Sequence, residues 1–360
     1  MPMCYASTDR HSIFCILPPH ILRSIAQSGR PQQRARALRT LATDNTFRAL
    51  RTAPRAPTPT ARRRPGVQVV EGQKHRAIFN AQSTETLPGA LVRQEGSPPS
   101  GEPAIDEAYD GLGATFDFFW EAYERNSIDD EGLPMNATVH FGQEYNNAFW
   151  NGERMVFGDG DGDLFNRFTI SLDVIGHELT HGVTEDEAQL IYFFQAGALN
   201  ESVSDVFGSL VKQHFLKQTA AEADWLIGAG LFTAHVNGVA LRSMKAPGTA
   251  YDDPVLGKDP QPGHMNDFVR TFEDNGGVHI NSGIPNHAFY LVATQLGGYA
   301  WEKAGRIWYE ALRDSQVRPN TGFKRFARLT LVTAQRLYGA SSSEQQAVLN
   351  AWTQVGIMLA

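Results

Sequence analysis

With 360 residues, 42% apolar and 20% charged, the chain is long enough for two domains with their own cores and has the make-up of an ordinary soluble globular protein. No run of 18 apolar residues occurs, which excludes a membrane-spanning helix, and the apolar stretch Ile13 to Leu17 meets Pro18-Pro19 too soon to be a Sec export signal. Charge is lopsided: residues 1–70 hold 12 Arg, no Lys and two acids, Asp9 and Asp44. That is about +10, which leaves about −17 for the remainder. A basic leader on an acidic body is a nucleic-acid signature in some chains, but the simpler expectation is a cationic precursor segment folded onto its own anionic body.

Residues 11–30 begin extended and turn helical after Pro18-Pro19, and the spacing of Ala35, Leu38, Leu41, Phe47 and Leu50 predicts a second short helix over 31–50. Residues 51–73 are rich in Pro and Arg without apolar period, an exposed linker open to proteolysis. Both cysteines, Cys4 and Cys15, lie in the leader, so no disulfide braces the body. From 74 to 170 alternating stretches such as Ala77–Ala81 and Ala137–Gly142 predict strands, with one helix from Ala108 to Tyr123. From 171 to 360 helical spacing dominates, over 171–186, 197–216, 281–296, 300–314, 321–338 and 343–356. A β-rich domain followed by a helical one is an α+β layout, with a cleft where the two meet.

At that junction stands His177-Glu-Leu-Thr-His181. Residues four apart share a helix face, so His177 and His181 can aim two imidazoles at one point, with Glu178 beside them to take a proton from a metal's water. Two surface histidines would read the same way in isolation. Glu201, 24 residues after His177, is placed for the next helix to supply a third ligand, and Asp205 one turn on suits the acceptor that orients a ligating His. Asn200 is grouped with Asp205 in that supporting role. Taken alone, Glu201 is equally an acid stabilised by a helix N-terminus.

The segment His177–Gly208, with Asn146–Gly152, Met155–Gly162 and Gly276–Gly283, closely resembles the thermolysin family of neutral metalloproteases over about residues 74–360. The leader, with Cys15-Ile-Leu-Pro-Pro-His20, resembles the short precursor of the protealysin-like branch. The resemblance implies a zinc endopeptidase made as a zymogen: one catalytic zinc on His177, His181 and Glu201, Glu178 as base, His279 and Tyr192 as donors to the oxyanion, and Asp274 orienting His279. It implies that Asn147 and Ala148 pair with an extended substrate and that Arg242 binds a substrate carbonyl. Phe165, Val174, Ile227 and Leu241 then line an apolar pocket beyond the cut bond, with cleavage before bulky apolar residues. Polypeptides are the substrates, the leader is an intramolecular inhibitor, and neither nucleic acid nor membrane is a partner; the chain is a monomer, extracellular like its relatives.

Two departures matter. Calcium-rich relatives gather acids where this chain has Asp173, Lys212, Asp224, Leu226 and Ala229, and a Lys between two Asp replaces the charge of an ion, so no double-calcium site is expected. Asp159, Asp161 and Asp163 imitate an EF-hand start, but Leu164 stands where Gly is required, which predicts a turn. Cys15 raises the idea of a thiolate on the metal in the precursor; burial beside Phe14 and Ile16 is the preferred expectation. A non-catalytic binding protein and an exopeptidase are the competing readings.

Overall fold

The computed structural model describes residues 14–52 and 70–359, with side chains for 15–46 and 70–359. Cys4 and most of the expected linker, residues 53–69, lie outside them. The leader opens with strand β1 (Phe14–Cys15), then helices α1 (Pro19–Ser28) and α2 (Pro31–Thr52). A proline starts each helix, where its fixed φ suits the first turn and its missing N–H costs nothing. Ile21, Leu22 and Ile25 form the buried face of α1.

Helix α2 differs from the expectation. It is 22 residues long and ends at Thr52, just inside the predicted linker, and its docked face is Gln33, Ala37, Thr40 and Asp44, whereas Leu38 is 57% exposed and Ala35 also faces water. The physical reason is that this helix docks through hydrogen bonds: Gln33 donates to Asp163, Thr40 accepts from Asn146 N, and Asp44 accepts from Tyr145 and Asn147. An apolar period cannot report such a face.

The body begins with β2 (Arg76–Asn80), β3 (Ala90–Gln94), α3 (Pro103–Tyr123), β4 (Met135–Val139), β5 (Ala148–Trp150) and β6 (Met155–Phe157). The strands form one mixed sheet in the order β1-β5-β6-β4-β2-β3. The pairs β2–β4 and β4–β6 are parallel, and the outer pairs are antiparallel. Helix α3 is started by Glu102, whose carboxylate accepts from Ala104 N and Ile105 N, and it ends at Glu124 in the left-handed conformation. In the sheet, β5 receives the leader strand on its open side, with Cys15 opposite Phe149.

The helical part comprises α4 (Leu172–Glu187), α5 (Phe194–Leu216), α6 (Asp274–Asn281), α7 (Gly283–Leu296), α8 (Arg306–Leu312), α9 (Phe323–Tyr338) and α10 (Ser343–Gln354). Short pairs β7 (Leu226–Ile227)–β8 (Arg242–Ser243) and β9 (Asp252–Asp253)–β10 (Gly257–Lys258) lie between α5 and α6. The helix expected over 300–314 is a wide turn at Trp301–Gly305 leading into α8. Helix α5 is buried along nearly all its length, and α4 touches it closely. A Cβ on Gly208 would lie 2.3 Å from Asp173 O and 2.9 Å from His177 N, and one on Gly176 would lie 3.1 Å from Gly208 Cα. Only glycines allow that approach, and it is what brings side chains of α5 up to His177. One large core runs through both halves, and a second small one gathers Cys15, Ala81, Phe141, Tyr145, Phe149 and Val156.

Candidate zinc centre and active site

Helix α4 presents His177 and His181 one turn apart, their rings perpendicular with centroids 4.7 Å apart and both fully buried. His177 Nδ1 donates to Asp205 Oδ1 at 2.8 Å and His181 Nδ1 donates to Asn200 Oδ1 at 2.8 Å. With the Nδ1 protons so committed, both Nε2 atoms offer lone pairs, yet they stand 3.1 Å apart. The Glu201 carboxylate closes the triangle, with Oε2 3.5 Å from His177 Nε2 and Oε1 3.4 Å from His181 Nε2. Three acceptors facing one another in a dry site repel unless a cation lies among them. Separations of 3.1–3.5 Å between the two Nε2 atoms and the nearer carboxylate oxygens are close to the edge of about 3.3 Å of a tetrahedron with bonds of about 2.0–2.1 Å to zinc. Glu201 Oε2, buried without a hydrogen-bond donor, is the atom such an ion satisfies. Among the described residues these three form the one group of His, Cys and acids able to meet at a metal.

The electrostatics agree. Burial, then the neighbouring His177, holds His181 well below the ordinary histidine value, which keeps it neutral as a ligand. Burial alone would raise Asp205, but Arg242 and His177 pull it below the usual carboxylate range. Arg242 grips Asp205 with two bonds, 2.9 and 2.8 Å, and Asn286 adds a third at 2.8 Å. Asn286 escaped the sequence reading, since nothing in its local pattern marks it.

Glu178 is fully buried beside the triad, and its Oε2 accepts from Trp150 N of β5 at 3.1 Å. Opposite stands His279, at the end of a loop in which Asp274, Asn275, Gly276 and Gly277 all have positive φ. The run turns Asp274 back so that its carboxylate accepts from His279 N at 2.9 Å and from His279 Nδ1 at 2.7 Å. Burial lowers His279, but Asp274 and Glu201 outweigh it and raise the imidazole above its ordinary value. His279 Nε2 lies 3.1 Å from the Tyr192 hydroxyl, which in turn donates to Glu201.

Residues 60–185 match the thermolysin metallopeptidase catalytic domain and 188–357 match the thermolysin metallopeptidase alpha-helical domain. The chain belongs to the thermolysin metallopeptidase family. It is 54% identical over 345 residues to an extracellular metalloprotease of Pectobacterium carotovorum subsp. carotovorum, covering 96% of each chain. Bacillolysin of Bacillus cereus is 40% identical over 288 residues, 78% of this chain and 48% of that protein. The solved precursor of protealysin, a metalloproteinase from Serratia proteamaculans, is 56% identical, with a TM-score of 0.86 over 96% of this chain and 99% of that one. This thermolysin-family chain is thus a zinc metalloendopeptidase with a protealysin-like leader. No described helix is long and apolar enough to cross a membrane.

In this family member the leader threads the cleft. Ile16 N donates to Ala148 O at 3.2 Å and Leu17 N donates to Asn147 Oδ1 at 3.0 Å. The Cys15 carbonyl accepts from His279 Nε2 at 3.1 Å, and the Ile16 carbonyl accepts from Arg242 at 3.2 Å. Ile16 and Leu17 are fully buried in the same core cluster as Phe165, Val174, Ile227 and Leu241. The Cys15 side chain packs in the small cluster with Phe141 and Phe149, outside the metal-competent group. Arginines of the leader meet acids of the body: Arg30 with Asp163, Arg36 and Arg39 with Glu144, Arg23 with Glu273. Each exposed pair is worth about 0–1 kcal/mol, so they orient the leader more than they hold it.

Behind α4, Lys212 Nζ lies 2.6 Å from Asp173, 2.9 Å from Asp224 and 2.8 Å from Leu226 O. Asp161 Oδ1 accepts from the backbone N–H groups of Asp163, Leu164 and Phe165, which makes this segment a turn.

Proposed function

We propose that the chain is the zymogen of an endopeptidase that cuts polypeptides before bulky apolar residues. Residues 1–50 are its precursor segment, 51–73 the linker, and 74–170 and 171–360 the two peptidase domains. Activation is a cut somewhere between about residues 50 and 75, made by its own activity. The observation that carries this reading is the leader strand itself, which engages His279, Arg242, Ala148 and Asn147 as an extended substrate would.

What zinc supplies, when held by His177, His181 and Glu201, is the Lewis acidity that makes water a nucleophile near neutral pH. Glu178 takes the proton from the attacking water and hands it to the leaving amine, and its anchor at Trp150 N keeps the carboxylate turned toward β5, where substrate lies. His279 and Tyr192 donate to the carbonyl oxygen as it gains charge, with Asp274 fixing the ring and favouring its charged form. Arg242 grips the next carbonyl, and Asp205 keeps that guanidinium in place.

The carbonyl at His279 belongs to Cys15, so Ile16 takes the position just beyond the cut bond. A buried β-branched residue there agrees with an apolar pocket made by Phe165, Val174, Ile227 and Leu241. Chain continues on both sides of that carbonyl, which suits an endopeptidase and gives an exopeptidase no terminus to hold. The docked leader closes the cleft and inhibits the precursor. The enzyme acts as an extracellular monomer, without the double-calcium site of its relatives.

Casein degradation by the activated protein tests this. A zinc chelator should abolish it, and Glu178→Ala should lower it by at least about 10²-fold while zinc stays bound. Undiminished activity in Glu178→Ala, or a peptide-library profile preferring acidic residues after the cut, refutes the assignment.

A further inference from the structure

The carboxylate of Asp205 is shared between the metal centre and the substrate cleft. It is fully buried on α5, and four donors reach its two oxygens. His177 Nδ1 and Arg242 Nη2 donate to Oδ1, each at 2.8 Å. Arg242 Nε at 2.9 Å and Asn286 Nδ2 at 2.8 Å donate to Oδ2. With two lone pairs on each oxygen, the set is complete. A carboxylate only accepts, so the Asn286 group that faces it is the amide NH2. The other amide atom, Oδ1, is buried and has no partner among the described residues. An unmet amide oxygen in the core costs free energy that an apolar side chain of the same size avoids, and Ile284, Ala288 and Phe289 on the same helix are apolar and buried. Packing does not account for an asparagine here; its bond to Asp205 does.

That bond also joins distant elements. Asn286 lies in the first turn of α7, where its N–H donates to Ser282 O at 3.0 Å, and Ser282 Oγ donates to His279 O at 3.0 Å. Gln261 Nε2 donates to the same carbonyl at 2.7 Å. The amide is thus mounted on the backbone segment that carries His279, and it reaches back to the helix that carries Glu201.

We propose that Asn286 is a positioning residue for peptide cleavage: it fixes the orientation of the Asp205 carboxylate, and through it both the His177 ring and the Arg242 guanidinium. The inference rests on the endopeptidase reading above, in which Arg242 grips a substrate carbonyl as it grips that of Ile16 in the leader. Arg242 cannot set the carboxylate by itself, because its long side chain and two-bonded fork follow Asp205 as it turns. His177 pins Oδ1, which leaves rotation about that oxygen free. Asn286, a short side chain on a helix, pins Oδ2 and removes the rotation. Without it the fork swings off the carbonyl, and the bond that orients His177 lengthens.

The enzyme activated from the full-length chain is assayed by chromatography on two peptides that share everything up to the cut bond. After it, one carries leucine amide and the other 3-methylbutylamine, which keeps the leucine side chain but lacks the carbonyl for Arg242. The wild type should cut the leucine amide about 10–100-fold better in kcat/KM, the worth of a hydrogen bond to a charged group. In Asn286→Leu, which keeps the volume, and in Asn286→Ala, which reduces it, that preference should fall below about fivefold, with the loss in KM. Zinc, measured by competition with a chelator in the absence of substrate, should bind about three- to tenfold more weakly in both, a smaller loss than for a residue that bonds the ligating His directly. If one variant fails to fold, the other decides. A preference within about twofold of wild type overturns the proposal, and so does unchanged zinc affinity, even where Tm falls, because a purely structural asparagine would give that result. If the wild type cuts neither peptide, or cuts both alike, the endopeptidase reading or its assignment of Arg242 is what fails. Asn286 is then judged on zinc alone, and equal affinity in wild type and variants overturns its role.

Discussion

Lys212 is the residue through which stability without calcium can be tested. Its ammonium sits 2.6 Å from Asp173, whose side chain is 1% exposed, and 2.9 Å from Asp224, which is 45% exposed. Burial pulls Lys212 down, but the two carboxylates outweigh it and hold it above the ordinary lysine value, so it is charged throughout the working range. Lys212→Met keeps the volume and removes the charge, which strands Asp173 in the first turn of α4. Breaking a fully buried pair costs about 3–5 kcal/mol, but Asp173 retains donors in Ser171 Oγ and Gly228 N and Asp224 can reach water, so about 2–4 kcal/mol is expected. At about 2.1 cal/mol/K per residue, a chain of this length shifts by about 1–1.5 °C per kcal/mol, so a cost near 3 kcal/mol lowers Tm by about 3–5 °C in calorimetry of the full chain. Lys212→Glu should lower it further and regain several degrees in millimolar calcium, because three carboxylates and Leu226 O then face one point. The wild type should ignore calcium. A Lys212→Met protein that melts within about 2 °C of wild type contradicts the reasoning, as does a wild type strongly stabilised by calcium through Asp173 and Asp224.

Other outcomes follow from the same geometry. Asp274→Asn leaves the His279 ring in place but removes the charge that raises it; kcat should fall by about 10²-fold with KM little changed, and an unaltered kcat would remove His279 from the reaction. His20 is lowered to about 4 by burial, then by His279, Arg242 and Arg23 against the opposing pull of Asp274, so the docked leader holds it neutral. Proton uptake therefore favours the undocked leader: docking is at full strength above about pH 6.5 and weakens as pH falls toward 4. With some exposure left, the loss is about 1–3 kcal/mol. The protection of α1 amides, exchange rates being divided by their intrinsic values at each pH, should fall between pH 7 and 4.5 and fall less in His20→Gln; an equal fall in both would show that another group controls release.

Much of the centre was legible because its chemistry is local. His177, Glu178 and His181 lie within one turn and a half of a helix, and Glu201 with Asp205 occupies one face of the next, so periodicity suffices to align them. What periodicity misses is contact between elements. The approach of α4 and α5 depends on Gly176 and Gly208, whose significance appears only when the two helices are packed. Asn286 reaches Asp205 from 81 residues away. The docked face of α2 is not legible from apolar spacing: Leu41 packs against the core but Leu38 faces water, and Gln33, Thr40 and Asp44 carry the binding through hydrogen bonds. The broken helix at Asp274–Asn281 was not expected, since a run of four positive φ values has no apolar signature. The sheet order, with the leader as its edge strand, likewise emerges only from pairing between distant segments.

The most direct test is the metal content of the purified full-length chain, by mass spectrometry of the native protein. The account predicts one zinc per chain, lost in His177→Ala, His181→Ala and Glu201→Ala, retained in Glu178→Gln, and bound about 10–100-fold more weakly in Asp205→Asn. A wild-type chain that binds no stoichiometric zinc, or a Glu201→Ala chain that binds it as well as wild type, contradicts the account.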